Sequence, residues 1–299
     1  LACGFPAPLS LTLGAIAAAT APAATLMVVR QYHAKGEVTS TLLPVVAMDD
    51  AVGLMLFSIS LPISQALASN AALTVTSMLL QPLLEIVLSL AVGAGIGLLI
   101  ALAMRFFHSK VNRISVAVAA VLLGSALASI WNLSSLLLCM AIGAVLVNLR
   151  KDADELLEIT DAWTPPLFML FFVLSGAELD LAVVPTVGLL GVVYMVARSL
   201  GKYFGSFLGA TIAKSSPNIR KYLGLTLLPQ AGVAIGMAQV ALNALPEYGT
   251  QIQAVVLTAT LIYELIGPVI TKLALTAAGE IQDSKKSKAK TEQNAGGAK

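Results

Sequence analysis

An all-α, polytopic membrane fold is predicted for this chain by three observations. Of its 299 residues, 58% are hydrophobic and only 11% are charged, with mean hydropathy +0.88. A soluble globular chain carries roughly 25% charge. Hydropathy divides the chain into nine candidate spans, near 9–30, 38–67, 80–104, 112–130, 133–149, 164–182, 184–212, 221–244 and 250–277. The connections then alternate, with Lys and Arg in every second one.

The basic set holds Arg30 and Lys35, then Arg105, Lys110 and Arg113, then Arg150 and Lys151. Lys214, Arg220 and Lys221 follow, and the tail adds Lys285, Lys286, Lys288, Lys290 and Lys299. Connections near 68–79, 131–132, 178–183 and 245–249 hold neither residue type. By the positive-inside rule the basic set faces the cytoplasm, which puts the C-terminus inside and Leu1 outside. The expected location is the cell (inner) membrane, with lipid as a partner. The chain opens on Leu1 with no visible signal peptide, and its first residues read as a loop entering a span. An N-terminal part preceding Leu1 is therefore expected.

The expected organisation is a transmembrane domain over 1–278 and a disordered basic tail over 279–299, rich in Lys, Ala and Gly. Lipid-headgroup contact by the tail lysines is an open reading. The connection at 150–161 reads either as a short amphipathic interfacial helix or as solvated charge. Cys3 and Cys139 fit no metal or redox spacing, and no disulfide is expected. Gly93, Gly95 and Gly97 have no strand before them, so they read as small packing residues and not as a dinucleotide turn. With no nucleotide loop and no metal-ligand cluster, no nucleic-acid partner is expected, nor any cofactor beyond transported ions.

The second span carries two adjacent carboxylates, Asp49 and Asp50, inside an apolar run. Each costs several kcal/mol at membrane depth on insertion scales. The default reading of such acids is an ion or proton site; the bland one is a pair capping a broken span or facing a wet vestibule. Arg198 and Lys202 lie four apart in the seventh span and share a helix face. Lys202 sits about 18 Å from Lys214 at the helical rise, and Asp50 about 20 Å from Glu37, so acid and base reach similar depth. A buried Lys readily shifts its pKa whereas Arg stays charged. Lys202 therefore reads as a base that pairs with an Asp and yields to a cation, or as half of a fixed ion pair. Arg198 leans to a structural role. Lys272 is near enough to the inner end to snorkel. Glu264, deep in the last span, reads as bonding Arg198 or a broken-helix end, with a direct part in transport as the other reading. Glu85, Glu178 and Asp180 fall near outer span ends and read as wetted.

Two spans carry breakers at mid-depth: Thr20-Ala-Pro22 in the first and Pro229-Gln230-Ala-Gly232 in the eighth. Pro22 is expected to remove a backbone donor and kink its helix. Non-helical backbone at this depth is tolerated only where protein buries it or a cavity wets it. Interrupted spans in matching places of two halves point to a transporter site, whose half-helix ends bring partial charges to the centre. A simple proline kink is the alternative for either span alone.

Thr20-Ala-Pro-Ala-Ala-Thr-Leu26 with Leu42-Leu-Pro-Val-Val-Ala-Met-Asp-Asp-Ala-Val-Gly-Leu54 resembles the monovalent cation:proton antiporter superfamily, in its two-aspartate bacterial branch. Phe171-Phe-Val-Leu-Ser-Gly-Ala-Glu-Leu-Asp-Leu181, Arg198-Ser-Leu-Gly-Lys-Tyr-Phe-Gly205 and Leu228-Pro-Gln-Ala-Gly-Val-Ala234 are similar to later motifs of that family. The resemblance covers about residues 5–280. It implies inverted repeats with two crossed discontinuous helices, a separate dimerisation domain and hence a homodimer, and first spans of the family absent here. Carried over, Asp50 is the main carrier of Na⁺ (or K⁺, Li⁺) and H⁺, Asp49 its neighbour, and Lys202 the competing base. Ala21 stands where relatives often carry Asp or Ser, and Val233 where many carry an acid. Neither position offers a side-chain ligand.

Other functions fit the residues less well. A channel-like cation pathway would want rings of pore-lining polar groups, and the deep charges here are single. A sodium-coupled symporter of related fold need not carry the adjacent Asp pair with a deep Lys. An intramembrane aspartyl protease needs facing carboxylates that share a proton. Adjacent residues on one helix point about 100° apart and do not make that dyad easily.

Overall fold

The computed structural model describes residues 4–69, 80–107, 109–153, 155–160 and 184–281, with 166–167, 169–170 and 173. Glu178, Asp180, Cys3 and the tail from 282 lie outside the described residues, as do most of the sixth predicted span, of the motif at 171–181 and of the 68–79 connection. The regular elements are helices: α1 (Ala7–Ile16), α2 (Pro22–Gln31), α3 (Glu37–Ala68), α4 (Gln81–Ala103) and α5 (Lys110–Trp131). They continue with α6 (Ser135–Leu149), α7 (Val184–Ile212), α8 (Pro217–Thr226), α9 (Gly232–Ala244) and α10 (Gly249–Ala277). Among the described residues four helices, Glu37–Ala68, Pro82–Ala103, Lys110–Trp131 and Gly249–Ala277, are long and apolar enough to cross a membrane. α7 has 29 residues, ample length for a crossing, but carries Arg198 and Lys202. The first and eighth predicted spans are each two helices with a break, at 17–21 and 227–231.

The chain divides into two compact units. One comprises Leu1–Ala15, Leu54–Ala182 and Ala244–Tyr248. In it, α4 and α6 approach closely because glycines leave room. A Cβ on Gly97 would lie 2.9 Å from the Ile142 carbonyl, and one on Gly93 would overlap the Leu138 carbonyl. Gly95, read as a third packing residue, has nothing within 4 Å, because it sits on another face of α4. Gly124 of α5 faces Leu138 of α6 in the same way. Ile96, Ile100, Met104, Leu138, Ile142 and Leu146 form the core of this unit. Ser134 caps α6, accepting from the Leu137 amide at 3.3 Å.

The connection at 150–161 is helical over 155–160 and is bound rather than merely solvated. Arg113, with its side chain 7% exposed, donates to Asp152 at 2.9 Å and Glu155 at 2.6 Å. Arg150 donates to both oxygens of Asp152 at 2.8 Å. That hydrogen bond holds the Asp152 carboxyl below the usual carboxylate range.

The other unit comprises Ile16–Gly53, Val183–Asn243 and Gly249–Lys299. It holds both breaks, the first half of α3, and α7 to α10. Val28, Val38, Leu42, Val46, Leu223, Leu227 and Leu275 form its core. Lys272 stacks its ammonium 4.5 Å from the Tyr32 ring centroid, near the end of α10. Glu280 and Ile281, expected within a disordered tail from 279, are buried.

Candidate functional site

The site is built where the breaks meet. Pro22 does not kink a continuous helix; it opens α2 as its first residue, where an amide would have no partner anyway. Ala21 before it is extended, with φ −82° and ψ 107°. Its amide donates to the Pro229 carbonyl at 2.9 Å, so each break satisfies the other's backbone. Thr25 Oγ1 reaches the Thr226 carbonyl at 3.4 Å, and Gln230 Nε2 the Ile16 carbonyl at 3.4 Å. Gln230 is fully buried and also donates to Tyr194 at 2.8 Å. α10 presses on this junction at Gly267, where a Cβ would meet Pro229 Cγ at 2.9 Å.

A break leaves the last carbonyls of the preceding half-helix without their usual amide donors, and that end carries partial negative charge. Both deep cations serve those ends. Arg198, 3% exposed, donates to the carbonyls of Leu228 at 2.6 Å, Ala19 at 2.8 Å and Pro229 at 3.3 Å. Its guanidinium lies 4.5 Å from the Tyr263 ring centroid. Arg198, read as leaning to a structural role, thus bonds backbone of both breaks. Of the two partners offered for Glu264, Arg198 instead bonds backbone carbonyls, and Glu264 Oε1 is buried without a hydrogen-bond partner.

Lys202 uses all three of its protons. It donates to the Ala18 carbonyl, to Thr20 Oγ1 at 2.8 Å and to Asp49 Oδ2 at 2.5 Å. The Lys202 and Asp49 side chains are 9% and 19% exposed, and the Thr20 hydroxyl donates to Asp49 as well. Asp50 is not in direct contact with Lys202; the Thr20 backbone amide serves its carboxylate, and its Oδ1 is buried with no hydrogen-bond partner. Adjacent residues of α3 point in different directions, so Asp49 is paired directly with Lys202 while Asp50 feels the ammonium only at longer range. The structure thus brings together Thr20, Asp49, Lys202, Arg198, Pro229 and Gln230, with Pro22 and Gly232 opening the half-helices beside them. Sequence reasoning missed Tyr263, Tyr194 and the carbonyls of Ala18 and Ala19, which are ordinary residues in an apolar run.

A family model described as sodium/hydrogen exchanger, transmembrane, matches residues 1–277. The chain belongs to that family. No curated protein matches it. Membership of the sodium/hydrogen exchangers places the chain in the monovalent cation:proton antiporter superfamily, as a multi-pass membrane transporter of cations and protons. Exchangers of this family are transporters and not enzymes.

Proposed function

We propose that this exchanger moves a monovalent cation, Na⁺ in preference to K⁺ or Li⁺, against H⁺ by competition at one carboxylate site centred on Asp50. The observation that carries the reading is the asymmetry of the acid pair. Asp49 is satisfied by Lys202 and Thr20, whereas Asp50 Oδ1 is buried and unpartnered. A buried acceptor without a partner is costly unless something neutralises it. Here a proton or a partly dehydrated cation does so. Asp49 is the second ligand, reached by a cation only as the Lys202 ammonium gives way. Occupancy removes net charge and lets the site-bearing helices move past the barrier; an empty, charged site resists that move. Exchange follows because both cargoes need the same carboxylate.

The breaks support the reading by leaving polar backbone at the site, while Arg198 and Lys202 hold the carbonyl ends. The same reading takes the C-terminus as cytoplasmic, the cell (inner) membrane as the location and a homodimer as the assembly. The test is dye-monitored proton movement in vesicles, with Na⁺, K⁺ and Li⁺ added in turn. Asp50→Asn is expected to abolish exchange with all three, and Asp50→Glu to retain some with a displaced pH profile. An Asp50→Asn protein exchanging at the normal rate would end the reading.

A further inference from the structure

Glu280 lies just beyond the end of α10, far in sequence from the acid pair, yet it is 8% exposed. Both its carboxylate oxygens are spent on the start of α3. Oε1 accepts from the Val38 amide at 2.6 Å, and Oε2 from the Thr39 amide at 2.8 Å and the Thr39 hydroxyl at 2.7 Å. These are first-turn amides with no acceptor inside the helix, and a carboxylate there also meets the positive helix end. A helix ordinarily takes such a cap from the side chain just before its first turn. Here that residue is Gly36, and a Cβ on it would overlap the Glu280 side chain. α3 therefore imports its cap from the last helix.

The carboxylate is aimed by a helix-ending turn. The Gly279 amide donates to the Thr276 carbonyl at 3.0 Å and the Glu280 amide to Leu275 at 2.9 Å, with Gly279 at φ +78°. That is a Schellman ending, whose left-handed residue suits glycine. The Glu280 carbonyl then accepts from the Lys35 amide at 3.0 Å, fixing the loop before α3 as well. Farther along, α10 holds α7: Tyr263 donates to the Met195 carbonyl at 2.7 Å and shares a 2.9 Å hydrogen bond with Ser199. One helix thus grips both the acid-bearing α3 and the base-bearing α7.

We propose that Glu280 is a positioning residue for exchange: by pegging the start of α3 to α10, it sets the height of Asp49 and Asp50 against Lys202. The claim rests on the exchange reading above. α3 stays helical from Thr39 through Pro44, which lacks one backbone donor, to Asp49, about 15 Å over which an axial shift is carried. A slip of one residue is about 1.5 Å, enough to break the 2.5 Å contact between Lys202 and Asp49.

Glu280→Gln keeps the volume but turns an amide donor toward the Val38 and Thr39 donors; Glu280→Asp keeps the charge on a shorter arm. Na⁺-driven proton movement is measured in vesicles across pH, per folded molecule, for the full chain and both variants. Glu280→Gln is expected to displace the Na⁺ half-saturation by roughly threefold or more and to move the pH optimum, with Glu280→Asp nearer the parent. Less folded protein with unchanged half-saturation and pH optimum would overturn the proposal. Should the parent chain move no protons with any cation, the exchange reading fails, and amide hydrogen exchange along α3 decides the peg alone. Faster exchange in Glu280→Gln from Val38 up to Asp49 supports it; an increase confined to the first turn overturns it.

Discussion

The Lys202 ammonium lies 2.5 Å from Asp49 Oδ2, while Asp50, one residue on, has a buried oxygen that accepts from nothing. One cation thus makes the two neighbouring acids unequal. Asp49 is held as part of a charge-balanced cluster with Thr20 and the Ala18 carbonyl. Asp50 is left without a direct ion pair, and on the proposed reading its charge is met by cargo.

Removing the cation should therefore be costly. Lys202→Gln leaves Asp49 as a charge with no countercharge, and losing one partner of a buried pair typically costs about 3–5 kcal/mol. The thermal midpoint of the detergent-solubilised protein should fall clearly, and proton coupling should change. An unaltered midpoint and pH profile would show that the pair carries neither stability nor coupling.

Asp49→Asn should behave differently from Asp50→Asn. It strands Lys202, so stability falls, but Asp50 keeps its oxygens for cargo. Exchange should persist with altered apparent cation affinity, whereas Asp50→Asn should retain the fold and lose exchange. Equal loss of exchange in both, at equal folded amounts, would contradict the assigned division of roles.

Gly267 tests whether the junction of the breaks tolerates displacement. Its Cβ would stand 3.1 Å from Pro229 Cα and 3.2 Å from Pro229 N, atoms of backbone that cannot rotate aside. Gly267→Ala should cost about 1–3 kcal/mol by overpacking and depress exchange. Gly95→Ala, with nothing within 4 Å, should be neutral or slightly stabilising in the same thermal assay.

The Arg113 network should respond to acid. Asp152 has its carboxyl held below the usual range, chiefly by the Arg150 hydrogen bond. A depressed folded value means the contribution is complete above the ordinary carboxylate value of about 3.9 and is lost as pH falls through the lower, folded value. Asp152→Asn should then cost at most about 1 kcal/mol near pH 7, since Arg113 keeps Glu155, and the cost should vanish in strong acid. Thermal midpoints of parent and variant across pH check this; a difference that grew toward low pH would reverse the sign argued here.

Much of the site could be read from residues that membranes penalise. Asp49, Asp50, Arg198 and Lys202 stand out because charge at that depth demands a reason, and the paired breakers stand out because open backbone does too. Their partners were less visible. Arg198 bonds carbonyls, which every residue owns, so its partners leave no mark in composition, and Glu264 was offered as a partner only because it was another charge. Pro22 reads as a kink or as a helix start with equal ease until the residue before it is seen to be extended. Glu280 fell within the stretch from 279 expected to be a disordered tail. The available signal was Gly279 beside it and Gly36 before α3, two glycines at helix ends, but nothing in the sequence joins positions so far apart. Gly93, Gly95 and Gly97 were grouped by spacing alone, and helical geometry puts Gly95 on another face.

Competition at one carboxylate is tested most directly by the Na⁺ half-saturation of exchange, measured in vesicles at a series of pH values. If both cargoes need Asp50, the half-saturating Na⁺ concentration should rise as pH falls, by close to tenfold per pH unit where the site is mostly protonated, with the maximal rate little changed. A half-saturation independent of pH, with only the maximal rate varying, would mean separate sites for cation and proton and would contradict the account.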